Sequence, residues 1–142
     1  MKLADYVKKR NGVPLGADKS LRNMMTRSLG SGTFSGFWKF WNPIWGYYLG
    51  KLVFKPLKNI LPVSFSIILT FLFCGFLHDV AIMLFKWKFT LVLTPWFLLM
   101  GICVVISDFI KLDYSNFPWI ARAFINILII GSCLLIANQL RI

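Results

Sequence analysis

Polar and apolar positions divide this chain of 142 residues into a basic, turn-rich first part and a second part built from long apolar runs. Over residues 1–36, Asn11-Gly12 and Pro14-Leu15-Gly16 end any long helix. Asp18 or Ser20 is placed to cap a short helix across Leu21, Met24, Met25 and Leu29. That spacing gathers an apolar stripe among Lys19, Arg22 and Arg27, the pattern of a helix lying on a membrane surface. Residues 37–58 read FWKFWNPIWGYYLGKLVFKPLK. The uncharged stretch from 40 to 50 is too short to cross a bilayer, which takes about 20 apolar residues. Its Trp and Tyr rings favour the headgroup layer, where the ring is half buried and the N–H or O–H stays wet. An interfacial or re-entrant segment is expected there, broken at Pro43 and Gly46.

Three runs of spanning length follow, at about 62–85, 89–107 and 118–140. The first holds one charge, Asp79, the second none, and the third has Arg122 near its start. Lys86-Trp87-Lys88 and Trp119 suit interfacial anchoring at their ends. The expected fold is therefore an all-α integral membrane protein. About three transmembrane helices form a membrane domain over 37–142, preceded by a basic cytoplasmic or interfacial segment over 1–36 and the re-entrant stretch at 37–58.

Composition supports this and narrows the chemistry. Hydrophobic residues make up 58% and charged ones 15%, against about 45–50% and 25% in soluble domains, which excludes a small soluble enzyme. The net charge of +11 is concentrated: residues 1–60 hold eleven Lys and Arg against Asp5 and Asp18. Such a basic half suits anionic lipid headgroups, and no nucleic-acid-binding module is recognisable. By the positive-inside rule the amino terminus is expected in the cytoplasm and, after three crossings, the carboxyl terminus outside. Met1-Lys2 leads into Leu3-Ala4-Asp5 rather than an apolar stretch, so no signal peptide is expected. The chain has no Glu and one His, which leaves no Glu-based or His-rich metal site within it. Cys74, Cys103 and Cys133 lie in separate apolar runs without CxxC spacing, as small packing thiols do.

The candidate chemistry lies at His78 and Asp79, an ionisable pair inside an apolar run. Such residues cost free energy and face a cavity or the interior of a bundle. His78 can act as a general base. Asp79 diverges from it by about 100° on a helix, so a His–Asp relay is not expected, and Asp79 can instead hold a neighbouring helix. A structural role for both, or a proton or ion path lined by His78, Asp79 and Arg122, are the alternatives. Asn42, before Pro43, reads as a turn residue.

Phe37-Trp38-Lys39-Phe40-Trp41-Asn42, together with the later Gly75-Phe76-Leu77-His78-Asp79, resembles the signature of the membrane-bound O-acyltransferase (MBOAT) family: an aromatic-basic run, an amphipathic stretch, then a spanning helix with an essential histidine. The resemblance covers roughly residues 30–110. It implies transfer of an acyl group from a thioester donor, acyl-CoA or acyl carrier protein, to a hydroxyl or amine within the membrane, with no bound cofactor. It implies His78 as catalytic base, Asn42 as its active-site partner, and Trp38, Lys39, Trp41 and Asp79 as substrate-binding residues. Lys51 and Lys55 join Lys39 as candidates for donor phosphates or anionic lipid. Full members of the family carry many more helices, which enclose the reaction chamber. A three-span chain implies a homo-oligomer or a second membrane subunit, or else a non-catalytic relative that docks a partner.

Overall fold

Short-range chemistry sets most helix boundaries in the computed structural model, which describes residues 1–140. Helix α1 (Leu3–Asn11) stops at Gly12, whose φ of 79° is costly for any residue with a Cβ and whose N–H returns to the Lys8 carbonyl at 2.9 Å. Helix α2 (Ser20–Leu29) covers the expected basic stretch, but its N-cap is Lys19 and no side chain caps it. The apolar stripe also splits: Leu21 and Met25 are exposed, whereas Met24 and Leu29 are half-buried against the rest of the protein. Helix α3 (Phe34–Phe40) is capped by Thr33, whose hydroxyl accepts the Gly36 N–H at 3.0 Å.

The aromatic segment bends where Pro43 predicts. Trp41 is extended, Asn42 sits in the left-handed region at φ 41°, and Pro43 opens α4 (Pro43–Leu49). Proline fits the first helical position because its missing N–H would have no partner there. Gly46, expected to be a second break, lies inside α4 with the helix intact around it. One glycine costs a helix only about 1 kcal/mol, too little to end it alone. The chain continues through a π-helical turn at Gly50–Phe54 into α5 (Lys55–Lys58).

Helices α6 (Val63–Lys86) and α8 (Trp119–Gln139) are each long and apolar enough to cross a membrane. At 24 and 21 residues they reach about 36 and 31 Å. Helix α7 (Leu93–Phe109) is shorter, 17 residues or about 25 Å. The apolar run expected to span from residue 89 is not helical before Leu93. Pro95 holds the start back, because a proline deeper in a helix removes a hydrogen bond and clashes with the preceding turn. Asp79 of α6 then fixes the start at Leu93, as described below.

All regular structure among the described residues is helical. Helix α7 packs along α6 through two glycines. A Cβ on Gly75 would lie 2.7 Å from the Phe97 Cβ and 2.8 Å from the Leu93 carbonyl oxygen, and one on Gly101 would lie 2.8 Å from the Phe71 Cβ. Small residues are what let two backbones approach this closely in an apolar medium. Phe34, Phe37, Met100, Val104 and Cys133 form the buried core between α3, α7 and α8. Cys103 and Cys133 are free thiols 3.5 Å apart across α7 and α8.

The basic amino-terminal part is tied onto this bundle. The Trp119 indole donates to the Thr26 carbonyl at 3.0 Å. Asn126, fully buried in α8, donates to the Leu29 and Ser31 carbonyls at 2.9 and 3.0 Å and accepts from the Tyr114 hydroxyl.

Candidate functional site

Helix α6 displays Cys74 and His78 on one face, since they are four residues apart, and Asp79 on another. Beyond the break at Asn42, α3, α4 and α6, with Phe97 and Val104 of α7, line a half-open cavity of about 410 Å³. Trp38, Lys39, Trp41, Asn42, Cys74 and His78 are on its wall. Five of the six residues nominated from the sequence thus meet in one place, from segments separated by more than thirty residues.

The His78 ring is held by three contacts. Its Nδ1 lies 2.7 Å from the Cys74 carbonyl oxygen. A carbonyl can only accept, so in the neutral ring Nδ1 carries the hydrogen and Nε2 carries the lone pair. Phe97 of α7 stacks on the ring at 5.3 Å and 24°, and Trp45 of α4 meets it edge-on at 6.0 Å and 80°. Among the described residues Nε2 has no hydrogen-bond partner. This tautomer leaves a lone pair on Nε2, as a general base needs.

Asn42 has a local duty that also fixes its amide. Its Oδ1 accepts the Trp45 N–H at 3.3 Å as the N-cap of α4, which leaves Nδ2 as a free donor at the cavity wall. Asparagine is one of the few residues with a Cβ that tolerates the left-handed backbone found here. The turn role read from Asn-Pro and the place in the cavity therefore belong to the same side chain. Lys39 is exposed. The Trp38 indole Nε1 is buried without a hydrogen-bond partner, its ring packed at 5.1 Å and 89° against Phe71.

Asp79 is not on the cavity wall. It is fully buried, and its carboxylate accepts the Val92, Leu93 and Thr94 N–H groups at 3.1, 2.9 and 2.7 Å and the Thr94 hydroxyl at 2.6 Å. It caps α7 from the neighbouring helix, where the exposed N–H groups and the helix dipole favour an anion. Arg122 also lies outside the cavity wall, so the three members of the proposed ion path are not gathered there.

Three members of the site went unnominated. Cys74 could have been found by its i−4 relation to His78; its Sγ receives the Trp45 indole N–H at 3.1 Å and lies 3.8 Å from the His78 Nδ1. Trp45, the third residue of α4, follows from the capping geometry of Asn42. Phe97 sits in an uninterrupted apolar run and carried no signal.

The π-helical turn at Gly50–Phe54 contributes Gly50 and Phe54 to the same cavity. Such turns mark functional sites more often than chance. No protein-family model, curated protein or solved structure matches the chain.

Proposed function

We propose that this protein is a membrane-embedded acyltransferase of the MBOAT type, moving an acyl group from a thioester donor to a hydroxyl or amine. The observation that carries the proposal is the meeting of His78 and Asn42 on one cavity wall, with Nε2 and the amide Nδ2 both unengaged. In this reading Nε2 takes the proton from the acceptor as its oxygen or nitrogen attacks the thioester carbonyl. The carbon–sulfur bond then breaks, and the proton passes to the departing thiolate. The Asn42 NH₂ donates to the developing oxyanion or orients the acceptor. An apolar wall strengthens both interactions by lowering the local dielectric. The Nδ1–H to Cys74 bond keeps the ring in the productive tautomer. In this reading Lys39, exposed at the cavity wall, meets the phosphates of an acyl-CoA or carrier-protein donor.

The same reading takes α7 as a third crossing beside α6 and α8, puts the basic amino terminus in the cytoplasm and the other end outside, and sets anionic headgroups against the basic half. It also calls for a second copy or another membrane subunit to close the chamber.

One observation favours a second reading, a non-catalytic membrane subunit. His78, Asn42 and Trp45 are exposed in the isolated chain, so the aromatic wall is also available as a docking surface for a partner.

A lipid and glycan profile of cells carrying the wild type, His78→Ala or no copy separates the two. Loss of one acylated product in both the deletion and His78→Ala supports catalysis and names the acceptor. An effect of the deletion that a normally assembled His78→Ala protein fully complements overturns catalysis in favour of the subunit.

A further inference from the structure

Cys103 of α7 and Cys133 of α8 stand thirty residues apart in the chain, yet their sulfur atoms lie 3.5 Å from each other. Both are free thiols. Cys74 shows how a solitary thiol is accommodated in this fold: its Sγ takes the Trp45 indole N–H and has the His78 ring beside it. Cys103 and Cys133 have each other instead. Bridging two cysteines asks that their sulfurs meet without a large movement of the backbone. Here the packing of α7 and α8 around Met100, Val104 and Cys133 has already brought the sulfurs into contact.

The two thiols are not equivalent. Cys133 is buried, whereas Cys103 is half-buried. Ile106, three residues further along the same face of α7, is exposed. A reactant arriving from outside the bundle therefore meets Cys103 first. Redox-sensing cysteines share this arrangement, an accessible thiol that is oxidised with a second beside it that resolves the product. The surroundings are apolar, with Ile129 and Ile130 packed on the same core. They suit an oxidant that dissolves in hydrocarbon.

We infer that Cys103 and Cys133 are a redox-sensitive pair, oxidised by lipid hydroperoxides to a disulfide that fastens α7 to α8. The Cys103 sulfur attacks the O–O bond of the hydroperoxide and becomes a sulfenic acid; its proton goes to the alkoxide, which leaves as an alcohol. The Cys133 sulfur then attacks the sulfenic sulfur. The S–S bond forms, the S–O bond breaks, and hydroxide leaves with the Cys133 proton as water. Two thiols and one hydroperoxide thus give one disulfide, one alcohol and one water. A dithiol reductant reverses the change by thiol–disulfide exchange. Val104, next to Cys103, lines the His78 cavity, and Phe97 of the same helix stacks on His78. The bond therefore fastens the helix that walls the site, and the inference requires no catalysis there.

The test uses the full chain, reduced and placed in liposomes of saturated phosphatidylcholine with or without a phosphatidylcholine hydroperoxide. Remaining thiols are alkylated, and the protein is digested without reduction for mass spectrometry. Alkylation of Cys103 and Cys133 should be lost together, with their peptides recovered as one cross-linked pair lighter by two hydrogens. Cys74 should stay alkylated, and dithiothreitol should restore both other thiols. In Cys133→Ser, Cys103 should stop at the sulfenic acid and be trapped by dimedone. In Cys103→Ser, Cys133 should remain a thiol. Oxidation should raise the unfolding midpoint of the wild type and of neither serine variant. Continued alkylation of both cysteines under the hydroperoxide overturns the inference, as do disulfides found only between two copies. Oxidation of Cys74 as fast as Cys103, or a sulfenic acid on Cys133 in Cys103→Ser, overturns it too.

Discussion

Asp79 offers the sharpest perturbation, because its four hydrogen bonds all go to the first turn of α7. Asp79→Ala leaves three backbone N–H groups and a hydroxyl without their acceptor, at a place where the native carboxylate is fully buried. Loss of an N-cap costs about 1 kcal/mol, and each further buried unpaired donor about 1–3 kcal/mol. Relief from burying a carboxylate offsets part of this. The expected net loss is about 3–5 kcal/mol. Asp79→Asn separates the contributions. Its oxygen can serve the Val92 and Leu93 N–H groups, while its NH₂ faces Thr94. The Thr94 hydroxyl can turn to accept; the Thr94 N–H cannot, and remains unpaired at about 1–3 kcal/mol. Denaturant unfolding in detergent, followed through tryptophan fluorescence, should rank wild type above Asn above Ala. The effect reaches the site, because Phe97, in the second turn of α7, stacks on His78. An Ala variant within about 0.5 kcal/mol of wild type, or an Asn variant as damaged as Ala, would refute the assignment of Asp79 as the cap of α7.

Asn126→Leu keeps the volume but strands the Leu29 and Ser31 carbonyls and the Tyr114 hydroxyl, at an expected cost of about 2–4 kcal/mol; limited proteolysis should release the amino-terminal segment faster. Burial of Tyr114, aided by the charge of Asp113, pushes its phenol up to about 12. A pKa raised on folding means the folded state holds the proton more tightly, so this contribution is intact below about pH 10, the ordinary tyrosine value, and is lost as pH rises toward 12. Unfolding midpoints measured from pH 9 to 12 should fall in the wild type and flatten over that window in Tyr114→Phe. Gly75→Ala should push the start of α7 off α6 and cost about 1–3 kcal/mol, read as a lower unfolding midpoint in detergent. Asn42→Asp keeps both the cap and the tolerance for left-handed backbone but lacks the amide donor; it should fold like wild type and lose turnover, and full turnover in this variant would show that the amide is not needed.

Much of the helix punctuation was legible because proline and glycine act locally. Gly12 ends α1, Asn42-Pro43 separates α3 from α4, and Pro62 and Pro118 stand immediately before α6 and α8. The start of α7 was not legible. An apolar run beginning at residue 89 looks the same whether or not its first turn is helical, and the deciding group, Asp79, lies on another helix. Asn126 was passed over for the same reason. One asparagine in a long apolar run gives no hint that its partners are carbonyls at Leu29 and Ser31, nearly a hundred residues earlier. Gly46 was misread in the opposite direction: a local breaker was outweighed by the helix around it.

What separates these buried polar residues from a site is whether their hydrogen-bonding capacity is used up. A polar group inside an apolar helix carries a desolvation cost that something must offset. For Asp79 the offset is complete, with both oxygens occupied by the start of α7. For Asn126 it is also complete, with the amide donating twice and accepting once. In the sequence Asp79 reads as candidate chemistry or as a hold on a neighbouring helix, and Asn126 as nothing; in the structure both hold helices together. His78 differs from them. It is exposed at the cavity wall rather than buried: one nitrogen is spent on the Cys74 carbonyl, the two rings beside it fix its plane, and Nε2 is left accessible. Asp79 and Asn126 are used up inside the bundle, whereas His78 keeps a lone pair on an accessible ring of fixed tautomer, which is what a base needs. The proposal of acyl transfer stands on that difference rather than on the rarity of histidine in an apolar helix.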